Sequence, residues 1–127
     1  MFETAELGRV LATAGTPAKR ERCRQLGAEL AVGYRDVDFA AAVRAHLAEA
    51  TGRAPDEAGV DAVLDIAGAS HLGRNLEALA PQGRLVLLSL LGGRAGPIDL
   101  GLVLRKRLRI IGSTLRGRPV AEKGRIA

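Results

Sequence analysis

Few residues in this 127-residue chain have the type and placement to do chemistry: one cysteine, two histidines, an aspartate pair and an excess of cations. Asp61 and Asp65 lie four apart around an apolar stretch, so on a strand they share a face, as a general acid and base would. No metal ligand or catalytic histidine stands near them in sequence, and they read as strand-end and helix-cap acceptors instead. Cys23, among Arg20, Arg22 and Arg24, reads as a partly buried thiol, and His71, near a helix start, as a solvated or capping side chain. No residue is assigned a catalytic role. A single cysteine cannot close an internal disulfide, and with only His46 and His71 beside it there is no cluster for zinc, so metal chemistry is disfavoured and no metal is expected. The net charge of +5 suits an anionic ligand, while an aromatic content of 2% offers little surface for stacking bases. A small phosphorylated ligand fits better than single-stranded nucleic acid. The basic run Arg105, Lys106, Arg107 and Arg109, with Arg116 and Arg118, is the one argument for a nucleic-acid or anionic-surface module. It lacks a recognition helix or stacking motif, and it reads as a solvated loop and helix end.

These residues need elements to position them. Arg9 to Ala14 is a short, branched apolar run and predicts a buried strand, broken at Gly15-Thr16-Pro17. Thr16 as N-cap and Pro17 at the first helical position open a helix over 17–26, with Gly27 where a C-cap would stand. Ala28 to Tyr34 predicts a brief strand. Asp36 is placed to cap a second helix, whose apolar positions run from Val37 to Ala48 and which ends at Glu49, before Gly52 and Pro55. A third strand spans Gly59 to Ala67, a short helix Ser70 to Leu79, and a fourth strand Arg84 to Leu91. Gly92-Gly93 opens a loop, Ile98 to Leu104 forms one more helix, and Leu108 to Thr114 a fifth strand. Alternating strands and helices predict an α/β domain with a parallel sheet and right-handed crossovers. A globular balance of 47% hydrophobic and 26% charged residues, with no repeat or linker, predicts one domain or a piece of one. No apolar run reaches the roughly 18 residues of a membrane span, and Met1 to Gly8 has neither the basic start nor the apolar run of a signal peptide. A cytoplasmic protein without a membrane partner is expected.

In this order the motifs resemble the nucleotide-binding half of the medium-chain dehydrogenase/reductases, in their zinc-independent quinone oxidoreductase branch. The resemblance is carried by Val10-Leu11-Ala12-Thr13-Ala14-Gly15-Thr16 with Lys19, Leu26-Gly27-Ala28, and Gly33-Tyr34-Arg35 with Asp38-Phe39. It continues through Gly59-Val60-Asp61 with Leu64-Asp65, Asn75-Leu76 with Leu79, and Gly83-Arg84-Leu85-Val86. Leu91-Gly92-Gly93, Lys106-Arg107 and Gly112-Ser113-Thr114-Leu115-Arg116 complete it, so that nearly everything from Arg9 onward is covered. The resemblance implies a Rossmann-like parallel sheet and hydride transfer from NADPH to a quinone or α,β-unsaturated carbonyl without a metal. The protein's share would be to hold the nicotinamide against the acceptor.

Dinucleotide folds that prefer NAD place a carboxylate at the end of their second strand, on the ribose 2′-hydroxyl. Here that stretch reads Thr13-Ala14-Gly15-Thr16, without an acid, and NADPH is the expected cofactor. By resemblance Gly15, Thr16 and Lys19 bind the 2′-phosphate and Tyr34 contacts the same end of the adenosine. Taken singly, Lys19 is an ordinary solvated lysine and Tyr34 a strand-end aromatic; together at family spacing they favour the cofactor. Ligands of open parallel sheets bind beyond the carboxyl ends of the strands. Ile66 and Ala67 would line the adenosine-ribose side, and Leu90, Leu91 and Gly92 the nicotinamide side, with Ser113, Thr114 and Leu115 ending the fifth strand. Core packing of the leucines and a plain turn at Gly92-Gly93 are equally good readings.

The family pattern also has parts this sequence does not match: a first strand, its Gly-rich turn, the helix that holds the pyrophosphate, and a preceding catalytic domain. In the strand order 3-2-1-4-5-6 that strand is central, and its absence leaves the strands at 9–14 and 59–67 about 10 Å apart, each with an open edge. Three outcomes are expected: direct pairing of those two strands, a strand supplied by a homo-oligomer or partner chain, or marginal stability. The functional expectation is accordingly the C-terminal part of an NADPH-dependent oxidoreductase, with a non-catalytic, partner-binding Rossmann remnant as the alternative.

Overall fold

The computed structural model describes residues 8–126. The chain divides after Gly59 into two compact units, both built from parallel strands with helices packed on them.

In the first unit β1 (Leu11–Ala14) and β2 (Leu30–Gly33) pair in parallel, Leu11 opposite Leu30 and Ala14 opposite Gly33. Between them α1 (Pro17–Gln25) packs on both strands. Its start follows local chemistry: Pro17 supplies a preset φ at the first turn, and the Thr16 side chain accepts the Lys19 N–H. Arg22 and Arg24 lie in the last turn, where the helix end is negative. Gly27, at φ 108, then turns the chain toward β2. The second helix, α2 (Phe39–Thr51), buries Phe39, Ala40, Val43 and Leu47, one apolar stripe at helical spacing. Withdrawing each large member of that stripe from water contributes about 1.5–3 kcal/mol. Its cap is not the expected Asp36 but Asp38, whose carboxylate accepts from Ala40 N and Ala41 N at 3.1 and 3.3 Å. The helix therefore begins later than the sequence suggests and runs on to Thr51, where Gly52 at φ 71 ends it.

The second unit holds a parallel sheet in the order β3-β4-β5, with β3 at Val60–Asp65, β4 at Leu79–Leu87 and β5 at Arg109–Gly112. A 3-10 turn at Gly68–His71 leads into α3 (Leu72–Ala78); α4 (Leu100–Lys106) joins β4 to β5, and α5 (Val120–Ile126) follows. Leu76, Leu79 and Leu85 are fully buried, and Val60, Val63, Leu72, Leu87, Leu102, Val103 and Leu108 pack around them. Asp99 caps α4 by accepting the Leu102 N–H at 3.1 Å.

Several boundaries differ from the sequence reading. β4 begins at Leu79, opposite Val60, and then bulges: the register jumps to Ala62 opposite Arg84, with Gln82 at φ 65 within the bulge. The same strand stops at Leu87 rather than Leu91, yet its neighbour still holds it. Leu88 N donates to Asp65 O at 2.8 Å, Leu91 N to Ile66 O at 3.0 Å and Gly92 N to Ala67 O at 2.6 Å. Helix α5 has no counterpart in the expected elements. Lys106, expected in a solvated basic run, donates from Nζ to the backbone oxygens of Leu76, Glu77 and Leu79 at 3.1, 2.9 and 2.7 Å. It is the cation at the carboxyl end of α3, where unpaired carbonyls collect. Within the first unit β1 pairs with β2, and within the second β3 pairs with β4 and β4 with β5. No described helix is long and apolar enough to cross a membrane.

Candidate cofactor site

The residues singled out in the first unit gather at the carboxyl ends of β1 and β2. Ala14 and Gly33 are paired last residues, so Gly15 and Tyr34 leave the sheet side by side. A Cβ on Gly15 would stand 2.8 Å from the Tyr34 hydroxyl and 3.4 Å from Arg35 Nε, so a side chain there would displace the Tyr34 hydroxyl. The Arg35 guanidinium stacks over the Tyr34 ring, 5.7 Å from its centroid. Thr16 serves the fold as the α1 cap, and Lys19 is exposed on the first turn of that helix. No carboxylate stands at Ala14-Gly15-Thr16, so nothing acidic meets a ligand at the end of β1 itself.

Sequence reasoning missed two members of this cluster, Arg20 and Arg35. Arg20 Nη1 lies 2.6 Å, and its Cζ 3.2 Å, from where a Cβ on Gly33 would be, so the guanidinium lies close against the carboxyl end of β2. The signal available was Gly33 itself, a glycine ending an otherwise branched strand, whose missing side chain admits a close approach.

The remaining candidates lie in the second unit, beyond the carboxyl ends of β3, β4 and β5. Ile66, Leu90 and Leu91 are exposed by 57%, 48% and 79%, which disposes of simple core packing for them. Ile66 and Ala67 meet Leu91 and Gly92 through the backbone bonds that extend the β3–β4 ladder. Gly92 has no room for a side chain: a Cβ there would lie 2.0 Å from Ser70 Oγ and 2.9 Å from Ala67 O. Gly68, at φ 77, is confined likewise by Gly93 O. Asp65 organises this turn, accepting Ala67 N at 3.2 Å and Gly68 N at 2.7 Å from a buried position. It is a strand-end acceptor, as the sequence suggested. Ser113 and Thr114 are tied to Arg118, which donates to Ser113 Oγ at 3.2 Å and Thr114 O at 2.6 Å and pairs with Glu122. Leu115 is exposed. Arg118 thus fastens the end of β5 to α5 and is, like Lys106, structural rather than free.

With this geometry the chain is similar to known oxidoreductases. It is 31% identical over 104 residues to quinone oxidoreductase-like protein 2 of Bos taurus, a match covering 82% of this chain and 28% of that protein. Among solved structures it resembles an NAD-dependent alcohol dehydrogenase, with TM-score 0.71, 31% identity, 93% of this chain and 31% of that one covered. A 2-haloacrylate reductase gives TM-score 0.70 at 30% identity, over 86% of this chain and 32% of that one. The chain therefore spans less than a third of the length of these relatives. The family model described as zinc-binding dehydrogenase matches residues 3–124. The described residues do not fit the metal in that family's name, because among them no group of three or more His, Cys, Asp or Glu side chains is placed to hold one. Matched along almost its whole length, and with the Rossmann-like layering of these neighbours, the chain belongs to the zinc-binding dehydrogenase family, in the medium-chain dehydrogenase/reductase superfamily.

Proposed function

We propose that this chain is the cofactor-binding part of an NADPH-dependent oxidoreductase that transfers hydride to a quinone or an α,β-unsaturated carbonyl. The observation that carries the reading is the acid-free carboxyl end of β1, with Lys19 on the adjoining helix and the Tyr34 hydroxyl and Arg35 guanidinium over Gly15. A 2′-phosphate needs cations and donors where a 2′-hydroxyl needs a carboxylate. The neighbour described as NAD-dependent shares the fold, but the residues that choose the cofactor are those of this chain. In this reading Gly15, Thr16, Lys19 and Tyr34 hold the adenosine end. Ile66 and Ala67, Leu90 to Gly92, and Ser113 to Leu115 offer backbone groups and apolar surface to the rest of the dinucleotide. The bound nicotinamide would supply the hydride; the chain's residues bind, orient and keep the site dry. A cytoplasmic location belongs to the same proposal.

The test is a titration of the chain with NADPH and with NADH, followed by the fluorescence of the reduced nicotinamide. Tighter binding of NADPH by tenfold or more, reduced by Lys19→Ala for NADPH alone, is expected; equal affinities overturn the reading. The separate pairing of β1 with β2 and β3 with β4 favours a second reading, in which an open strand edge takes a strand from another copy or a partner chain and the protein is a binding module. Concentration-dependent assembly without any NADPH binding would support that reading over the first.

A further inference from the structure

Arg20 is set apart from the other arginines of α1. Arg22 donates to Gln25 Oε1 at 3.3 Å, and Arg24 is shared between Glu21 and the backbone oxygen of Ala31, at 3.4 and 3.3 Å. The Arg20 guanidinium has no hydrogen bond or ion pair among the described residues. Asp36 is its acidic neighbour, with Oδ2 3.7 Å from the same Gly33 Cβ point, but the two form no ion pair. The residue is half-buried against β2 rather than free in solvent. At the end of the paired strand, Arg35 Nε lies 3.4 Å from where a Cβ on Gly15 would be. Each strand end thus carries a guanidinium, one against Gly33 and one above Gly15, and a dianion held at these ends would meet charged donors.

We propose that Arg20 is a specificity-determining residue that grips the 2′-phosphate of NADPH. The inference rests on the NADPH reading above and adds a second, stronger contact to Lys19. A guanidinium presents two parallel N–H donors that match two phosphate oxygens, whereas the Lys19 ammonium, on an exposed helix turn, acts as a point charge. Gly33 has its own part: any side chain there would push the guanidinium off the strand end. Because the colliding atoms are the tip of a flexible side chain, Gly33→Ala is expected to keep the fold and to move only Arg20.

The experiment is calorimetric titration of the full chain with adenosine 2′,5′-bisphosphate and with 5′-AMP, which differ by the 2′-phosphate alone. Arg20→Ala and Arg20→Gln, the second keeping most of the stem should the first fail to fold, are expected to weaken the bisphosphate by about tenfold or more, the size of a charge-assisted hydrogen bond. Both should leave 5′-AMP unchanged. Gly33→Ala should weaken the bisphosphate in the same sense, and Arg22→Ala should not. Wild-type preference for the bisphosphate that survives both Arg20 variants overturns the role of Arg20 and leaves the NADPH reading standing. A wild-type chain that binds the two ligands equally overturns that reading, and this inference with it.

Discussion

Replacing Lys106 by methionine should destabilise the chain far more than an ordinary surface lysine would. The perturbation keeps the stem and removes the ammonium that donates to Leu76 O, Glu77 O and Leu79 O at 3.1, 2.9 and 2.7 Å. A hydrogen bond to a charged group contributes about 1.5–3 kcal/mol when removed singly. Three bonds from one ammonium do not sum to three times that, since its desolvation is counted once, and Glu77 O, on the exposed side, can turn to water. The two part-buried carbonyls of Leu76 and Leu79 are left to carry the loss, about 2–4 kcal/mol in all. At roughly 4 °C per kcal/mol for a chain of this size, the thermal midpoint falls by about 8–16 °C. Urea unfolding followed by far-UV circular dichroism is the suitable assay, because the chain has no tryptophan and one tyrosine. Lys123→Met is the control, its ammonium making one exposed bond of 3.3 Å to Arg116 O. A Lys106→Met chain within about 0.5 kcal/mol of that control would refute the reasoning.

Asp38→Ala should lower stability by about 1 kcal/mol through loss of the α2 cap, while Asp36→Ala should leave it within about 0.5 kcal/mol; the reverse order in urea unfolding would return the cap to Asp36. Gly27→Ala meets nothing within 4 Å and should cost only its positive φ, about 1–2 kcal/mol. Gly68→Ala adds to that a Cβ 2.5 Å from Gly93 O and should cost about 3–4 kcal/mol, so equal losses would mean that the turn has room.

What the sequence made legible was local. Thr16 with Pro17 opens α1 because cap and preset φ act within one turn, and the alternation of branched runs with helix formers found all five strands. Asp36 and Asp38 look alike on paper; the cap is the one whose backbone is extended at φ -70, ψ 99, which the packing of Phe39 and Ala40 decides. Leu79 reads as a helix end until Val60 is seen opposite it, since a parallel pair is a contact made across the chain. Within the basic run Arg105, Arg107, Arg109 and Arg116 are exposed as expected, but Lys106 finds its carbonyls 27 to 30 residues back, and no local pattern announces that. At the candidate site, Gly15, Lys19 and Tyr34 were legible by motif. Arg20 was not, because its place over Gly33 depends on α1 lying across β2.

The central claim is that the ends of β1 and β2 form a 2′-phosphate site, and amide chemical shifts of the labelled chain test it most directly. Titration with adenosine 2′,5′-bisphosphate is predicted to move the amides of Gly15, Thr16, Lys19, Arg20, Gly33, Tyr34 and Arg35, and 5′-AMP at equal concentration to move them far less. Equal shifts with both ligands, or shifts confined to other residues, would contradict it.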